Sequence, residues 1–246
     1  ADTLVTGHYA IREGGLKGSK LFKAKDITKD QSYFLFATLQ DQLDYVRFPL
    51  GNLLKSEIRK MAKNYNLVVS EKPDSQDICF VPNGDYSSVI KKFRPESFKK
   101  GKIINLSGKQ IGEHEGIINY TIGQRKGIKI SSEKPLYVVN IDASNNTVIV
   151  GNKENLEIKK IKLRDLNILE KRKEFEKIIN IKVRSTGRLL KAKINFLGNF
   201  AEVEILEKET GISPGQACVF YSEDDIGDKV LGGGWIDKTF NNYLST

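Results

Sequence analysis

Two cysteines, Cys79 and Cys218, have the widest chemical range in this 246-residue chain, and their surroundings differ. Cys79 lies in Asp74-Ser75-Gln76-Asp77-Ile78-Cys79-Phe80, a polar loop opening after Pro73. That is unusual company for a residue type normally found as a small buried hydrophobe. To attack an electrophile or carry sulfur it needs thiolate character, hence partial exposure and nearby positive charge or helix-end amides. Asp74 and Asp77 oppose this unless Lys72 or a ligand compensates, so side-chain chemistry alone leaves Cys79 open between a structural thiol and a sulfur carrier. Cys218, inside the alternating Ala217-Cys218-Val219-Phe220-Tyr221, reads as packing. Neither cysteine belongs to a CxxC pair, and the two histidines, His8 and His114, lie far apart. A disulfide framework, a metal site and a Ser-His-Asp triad are therefore unsupported.

Three further clusters have the chemistry to meet phosphates or base edges. Thr6-Gly7-His8-Tyr9 follows a strand-like opening. In open α/β sheets ligands bind beyond the carboxyl ends of strands, where a glycine lets the backbone approach a nucleotide closely. A turn glycine beside a surface histidine is the plainer reading. Lys29-Asp30-Gln31-Ser32 precedes a helical run, where Asp30 suits an N-terminal cap and Lys29 and Gln31 project beside the helix start. Thr121-Ile122-Gly123-Gln124-Arg125-Lys126-Gly127 brackets two cations with glycines, either as a loop facing a phosphate backbone or as a polar surface hairpin.

The elements that must position these clusters follow from periodicity. Thr3–Thr6 reads as a strand, and from Ser32 the repeat Leu35, Leu39, Leu43 reads as one amphipathic helix. Asn52 precedes a second helical stripe of Leu54, Ile58, Met61, Ala62 and Tyr65, and Leu67-Val68-Val69 looks like a short strand. From about residue 100 the pattern becomes short strands: Gly101–Asn105, Gly112–Gly116, Leu136–Asp142 and Thr147–Val150, with Asn145-Asn146 as a turn. Beyond Asn155 the alternation sharpens, with Ala192, Ile194 and Phe196 on one face, a Gly198-Asn199 turn, then Ala201, Val203 and Ile205. Further strands at Cys218–Tyr221 and Val230–Ile236 indicate an antiparallel barrel or sandwich. The fold class is α/β plus β, divided at 1–83, 84–155 and 156–246.

Charge narrows the function. Forty Lys+Arg against 31 Asp+Glu give a net charge of +9, and no apolar run approaches the ~20 residues of a membrane span. The excess is concentrated in residues 84–155, with 12 basic and seven acidic residues. There Lys91, Lys92, Arg94, Lys99, Lys100 and Lys102 face only Glu96, a solvated loop face or an anion-facing patch. Sparse cysteines fit a reducing cytoplasm.

Taken together and in order, these motifs resemble the bacterial tRNA-specific 2-thiouridylases: Thr6–Tyr9, Lys29–Leu35, Phe48–Gly51, Lys72–Phe80, Gly84–Tyr86, Tyr120–Gly127, Pro135–Val139, Pro214–Ala217 and Leu231–Gly234. The resemblance implies an ATP-pyrophosphatase α/β domain, here partial, then a small β-rich central domain and a C-terminal β-barrel. It implies ATP-dependent replacement of the wobble uridine 2-oxygen by sulfur from a cysteine persulfide. By resemblance Cys79 carries the persulfide and Gly7 contacts ATP, bound with Mg. The resemblance implies tRNA contacts at His8, Lys29, Asp30, Gln31, Arg184, Ser185 and Gln216, to which the glycine-bracketed loop adds Arg125 and Lys126 as expected phosphate contacts. The family's Arg-Tyr pair falls on Arg184-Ser185, so Arg184 keeps the pattern and Ser185 departs from it, bringing no ring for stacking. Partners implied are tRNAs of the Lys, Glu and Gln acceptors and a sulfur donor such as a cysteine desulfurase or relay protein, in the cytoplasm and away from membranes.

The family's SGGxDS phosphate loop and first catalytic cysteine do not occur in these residues, and the chain opens on Ala1 directly into a strand. The expectation is a piece of a longer enzyme, inactive alone, whose first ~80 residues pack poorly because strand edges and an apolar face lie uncovered. A non-catalytic RNA-binding protein and an ATP-pyrophosphatase acting on a small molecule are the competing classes.

Overall fold

The apolar opening forms strand β1 (Leu4–Val5), which leads to an antiparallel hairpin, β2 (Ile11–Glu13) and β3 (Lys20–Phe22). The computed structural model describes residues 1–15, 17–68, 86–93 and 95–241. The expected single helix from Ser32 is two short ones, α1 (Ser32–Leu35) and α2 (Gln40–Tyr45). Asn167 Nδ2 donates to the carbonyls of Phe36 at 2.7 Å and Thr38 at 2.9 Å, acceptors a continuing helix would use, and Leu39 is extended at ψ 161°. Then β4 (Val46–Arg47) pairs in parallel with β1.

The second helical stripe forms α3 (Lys55–Asn64), where Glu57 reaches back to the Leu54 N–H at 2.6 Å. None of its residues is buried. Leu67 and Val68 do not form a strand: Leu67 N–H turns back onto Ala62 O at 2.9 Å, and Val69 lies outside the described residues.

A last helix, α4 (Tyr86–Phe93), precedes a sheet of β5 (Gly101–Asn105), β6 (Gln110–His114), β7 (Tyr137–Asp142) and β8 (Thr147–Gly151), in the order β6-β5-β8-β7 with β5 and β8 parallel. The expected strand at 112–116 starts and ends two residues earlier, because Gly116 at φ +143° opens a 3-10 turn over Ile117–Asn119. Ile103, Ile128, Val138, Val148 and Val150 form this sheet's core. His114 is a core residue, accepting from Gly116 N–H at Nδ1 and meeting Asn146 O through Nε2.

The remaining strands close a six-stranded antiparallel barrel: β9 (Lys160–Ile168), β10 (Ile179–Lys182), β11 (Leu190–Leu197), β12 (Phe200–Ile205), β13 (Ala217–Asp224) and β14 (Gly227–Phe240). Their order is β13-β10-β11-β12-β9-β14, and a β13–β14 pairing closes the ring. The alternation read in the sequence sets the register, with Ala192 opposite Ile205, Ile194 opposite Val203 and Phe196 opposite Ala201. Ile161, Leu163, Ile181, Ala192, Ala201 and Val203 are fully buried.

The N-terminal segment departs from a self-contained α/β layer. β3 pairs with β14, Leu21 opposite Val230, so the β2–β3 hairpin extends the barrel sheet. Ala10, Leu21, Tyr33, Phe36, Leu43 and Val46 share one core with Ala217, Val219, Tyr221 and Val230. Leu4, Val5, Met61 and Tyr65 of β1 and the α3 region are exposed, as expected of uncovered faces, whereas Ala10, Leu21, Tyr33, Phe36, Leu43 and Val46 are buried against the barrel. Two compact units result. One holds the described residues of Ala1–Pro73, Lys160–Glu207 and Pro214–Thr239; the other holds those of Asp74–Lys159, Lys208–Ser213 and Phe240–Thr246.

Candidate functional site

Helix α1 is four residues long, yet it ties together two of the clusters found in the sequence. At its start Gln31 clasps Tyr9 twice: Tyr9 N–H donates to Gln31 Oε1 at 2.9 Å, and Gln31 N–H donates to Tyr9 O at 2.8 Å. That clasp brings Gly7 and His8 beside Lys29, Asp30 and Gln31. A Cβ at Gly7 would meet only Leu50 Cδ1, at an ordinary 3.6 Å, so the fold itself does not demand glycine there. The His8 ring lies edge-on to Phe48 at 6.3 Å, and the His8 backbone N–H donates to Thr6 Oγ1 at 3.2 Å.

Asp30 is not the helix cap, which is Gln31. Its carboxylate accepts from Ala24 N–H at 3.0 Å, Ser32 N–H at 3.2 Å and Ser32 Oγ at 2.9 Å, so it fixes the loop that carries Lys29. Ser32 Oγ also meets Tyr221 Oη at 3.2 Å, carrying this network onto the barrel. Lys182 of β10 sits near Asp30; burial lowers its ammonium pKa, with Asp30 opposing and Lys23 adding to the shift.

One turn on, Tyr33 Oη donates to Ala217 O at 2.9 Å, and burial pushes this phenol up to about 12. The bond anchors α1 at one end of the barrel. There a cleft of about 400 Å³ is lined by Arg184, Ser185 and Gln216 together with Tyr33, Phe34 and Trp235. Ala217 pairs with Trp235, and Gln216 O accepts from Ile236 N–H at 2.8 Å, so the β13–β14 register sets Gln216 beside Trp235. Gln216 Oε1 is buried and accepts no hydrogen bond.

Glycine makes this wall possible. At Gly233 a Cβ would lie 2.7 Å from Phe36 Cδ2 and 2.6 Å from Cys218 O. Its absence lets Phe36 settle on the strand, where its ring meets Trp235 at 5.5 Å. Sequence reasoning missed Tyr33, Phe34, Lys182 and Trp235. The available signal was that Pro214–Ala217 and Leu231–Gly234 both stood out, but their adjacency depends on long-range pairing.

In the other unit, Gln124 builds the loop that carries Arg125 and Lys126. Its Oε1 accepts from Thr121 N–H and its Nε2 donates to Lys126 O, both at 2.9 Å, while Gly123 and Gly127 hold φ of +87° and +83°. Arg125 and Lys126 are exposed. Arg125 borders a cleft of about 580 Å³ with Lys129, Glu133 and Lys134, so this surface is mixed in charge with cations in excess.

Cys79 lies outside the described residues. Cys218 is fully buried in β13, and burial pushes its thiol up, away from the thiolate. The described residues fit only one edge of a nucleotide site, the open backbone at Gly7–His8. Among them no group of three or more His, Cys, Asp or Glu side chains is placed to hold a metal ion, and no helix is long and apolar enough to cross a membrane.

Three family descriptions match along the chain: a tRNA methyl transferase HUP domain over residues 1–83, a tRNA methyl transferase PRC-barrel domain over 87–152, and an aminomethyltransferase beta-barrel domain over 158–236. Curated relatives match this chain over nearly its whole length. The tRNA-specific 2-thiouridylase MnmA of Maricaulis maris is 49% identical over 237 residues, 96% of this chain and 58% of that protein. The proteins of the same name from Rickettsia prowazekii and Rickettsia massiliae are 49% and 50% identical, covering 98% and 97% of this chain and 67% and 65% of their own lengths. The chain thus spans about three-fifths to two-thirds of the relatives it matches.

Proposed function

The chain belongs to the tRNA-specific 2-thiouridylase family, and from that premise we propose that it is the tRNA-holding and sulfur-carrying part of an enzyme that replaces the 2-oxygen of the wobble uridine with sulfur. The observation that carries this reading is the gathering of Gly7, His8, Lys29, Asp30 and Gln31 with Arg184, Ser185 and Gln216 around α1. Residues of the two sets, 153 or more positions apart in sequence, meet around one four-residue helix, whose packing needs would be met by far fewer polar groups.

In this reading His8, Lys29, Arg184 and Gln216 contact the tRNA directly. Asp30 and Gln31 hold Lys29 and the Gly7–His8 turn in place, and Ser185 borders the same surface. Arg125 and Lys126 bind the phosphate backbone from the other unit as charge-assisted donors. ATP, bound with Mg, supplies the adenylyl group that turns the uridine 2-oxygen into a leaving group, with Gly7 at the edge of its site. Cys79 takes sulfur as a persulfide from a cysteine desulfurase or relay protein and presents it to the activated C2. The tRNAs are those of the Lys, Glu and Gln acceptors, the compartment is the cytoplasm, and residues 1–83 act as the C-terminal part of the ATP-pyrophosphatase catalytic domain, 84–155 as a central tRNA-binding domain and 156–246 as a barrel domain.

The test is filter binding of a tRNA transcript to this chain over a range of salt concentrations. With about five phosphates neutralised, log affinity falls against log salt with a slope on the order of −4. Combined Lys29→Ala and Arg184→Ala substitution weakens binding at least about tenfold. A flat salt response, or equal affinity for a polyanion without bases, overturns the reading.

A further inference from the structure

The cleft beside α1 contains more than the polar contacts assigned above. Phe34 and Trp235 are large rings left 66% and 38% exposed, although the Tyr33 and Phe36 rings beside them are buried. They stand edge-on to those supports, Phe34 to Tyr33 at 5.4 Å and Trp235 to Phe36 at 5.5 Å, so each exposed ring is braced from behind. Nothing in barrel packing calls for two exposed aromatics lining one cleft.

The same cleft holds a buried acceptor without a donor, Gln216 Oε1. Such an atom is costly to bury unless a ligand brings an N–H to it. Arg184 adds positive charge at the rim, and Ser185 contributes no ring. A ligand that satisfies all of this is planar and aromatic, bears N–H donors on its edge and is joined to an anion. An unstacked nucleobase of single-stranded RNA has each of these properties.

We propose that Trp235, with Phe34, is the stacking platform for an unpaired base of the bound tRNA, and that Gln216 Oε1 accepts a hydrogen bond from that base's edge. The proposal rests on the tRNA-binding reading and adds the residues that grip a base rather than the backbone. Trp235 is then a positioning residue in RNA recognition.

Trp235 is the sole tryptophan of the chain, so its fluorescence reports on this cleft alone. Titration of the chain with a tRNA transcript is followed by tryptophan emission, and binding is monitored in parallel by the anisotropy of end-labelled tRNA. The expected result is quenching that tracks the anisotropy curve, together with protection of Trp235 from acrylamide. Inorganic polyphosphate binds without quenching. Trp235→Ala weakens tRNA binding on the order of 5- to 150-fold, the range found for losing one stacked base. Trp235→Phe keeps a ring and stays within a few-fold, which separates loss of stacking from loss of fold. Binding seen by anisotropy with unchanged Trp235 emission, or wild-type affinity in Trp235→Ala, overturns this proposal and leaves the tRNA-binding reading intact. Absence of any binding overturns both.

Discussion

Gly233 positions the cleft by having no side chain. A methyl group there would press on the Phe36 ring and the Cys218 carbonyl at distances under 3 Å, and Phe36 in turn braces Trp235. Gly233→Ala is expected to cost about 1–3 kcal/mol, as overpacking of a filled core does. Gly15→Ala, where a Cβ meets nothing within 4 Å, should change stability by less than about 0.5 kcal/mol. Urea midpoints of the two variants check this, and equal midpoints would show that Phe36 can move aside cheaply. The two cysteines separate at the same scale. After incubation with a cysteine desulfurase and cysteine, intact-mass analysis should find one added sulfur, lost in Cys79→Ser and retained in Cys218→Ser. The Cys218 thiol is sealed inside the barrel wall and behaves as a small hydrophobe. A persulfide mapped to Cys218 would reverse the assignment.

Short elements here depend on carboxylates that hold their connecting turns. Asp44, at the end of α2, accepts from Ser19 N–H at 2.8 Å, Gln40 Nε2 at 3.0 Å and Gly18 N–H at 3.1 Å, and these bonds, the Ser19 contact foremost, lower its pKa from 3.8 to about 2. Asp142 closes the β7–β8 turn through Ser144 Oγ at 2.6 Å and Asn145 Nδ2 at 2.7 Å and is likewise lowered to about 2. Both carboxyls are more acidic folded than unfolded. Their stabilisation is therefore complete above the unfolded value and drains away as pH falls from 3.8 towards about 2. Asp44→Asn and Asp142→Asn should each flatten the acid limb of a stability curve while leaving its neutral plateau slightly lower. An unchanged acid limb in both would show that the turns hold without ionised carboxylates. Local patterns of this kind were legible in the sequence: the Ala192–Ile205 hairpin, the Asn145-Asn146 turn and β5 all follow from alternation and turn chemistry. What was not legible was set by partners distant in the chain. Asn167 divides the run from Ser32 into two helices, and β14 recruits the β2–β3 hairpin into the barrel sheet. The roles of Trp235 and Phe34 were hidden for the same reason, since no local pattern places β14 against α1.

At the scale of the whole molecule, the proposed binding and the proposed chemistry have different requirements. In the proposed reading, holding RNA draws on distributed cations and a shaped surface: the chain is basic by +9, with Lys29, Arg184 and the cleft beside α1 in one unit and Arg125 and Lys126 exposed in the other. In the proposed reaction, transfer of sulfur needs three further things: an activated uridine, a persulfide, and a second thiol to cleave the S–S bond once the outer sulfur has joined C2. The 246 residues contain no SGGxDS phosphate loop, the segment whose backbone amides would cradle pyrophosphate in the proposed activation step. They contain one cysteine besides Cys79, and that thiol is fully buried with its ionisation suppressed. The 246-residue chain by itself is therefore expected to bind tRNA without thiolating it. A single-turnover assay with the isolated chain, ATP, Mg, substrate tRNA and a loaded sulfur donor measures this directly, with 2-thiouridine quantified by mass spectrometry of the digested tRNA. The expected yield is background, and addition of a small external thiol should not raise it, because uridine activation fails before sulfur release is reached. Thiolation at a rate near that of a longer family member would overturn the argument and place uridine activation within residues assigned here to scaffold and tRNA contact.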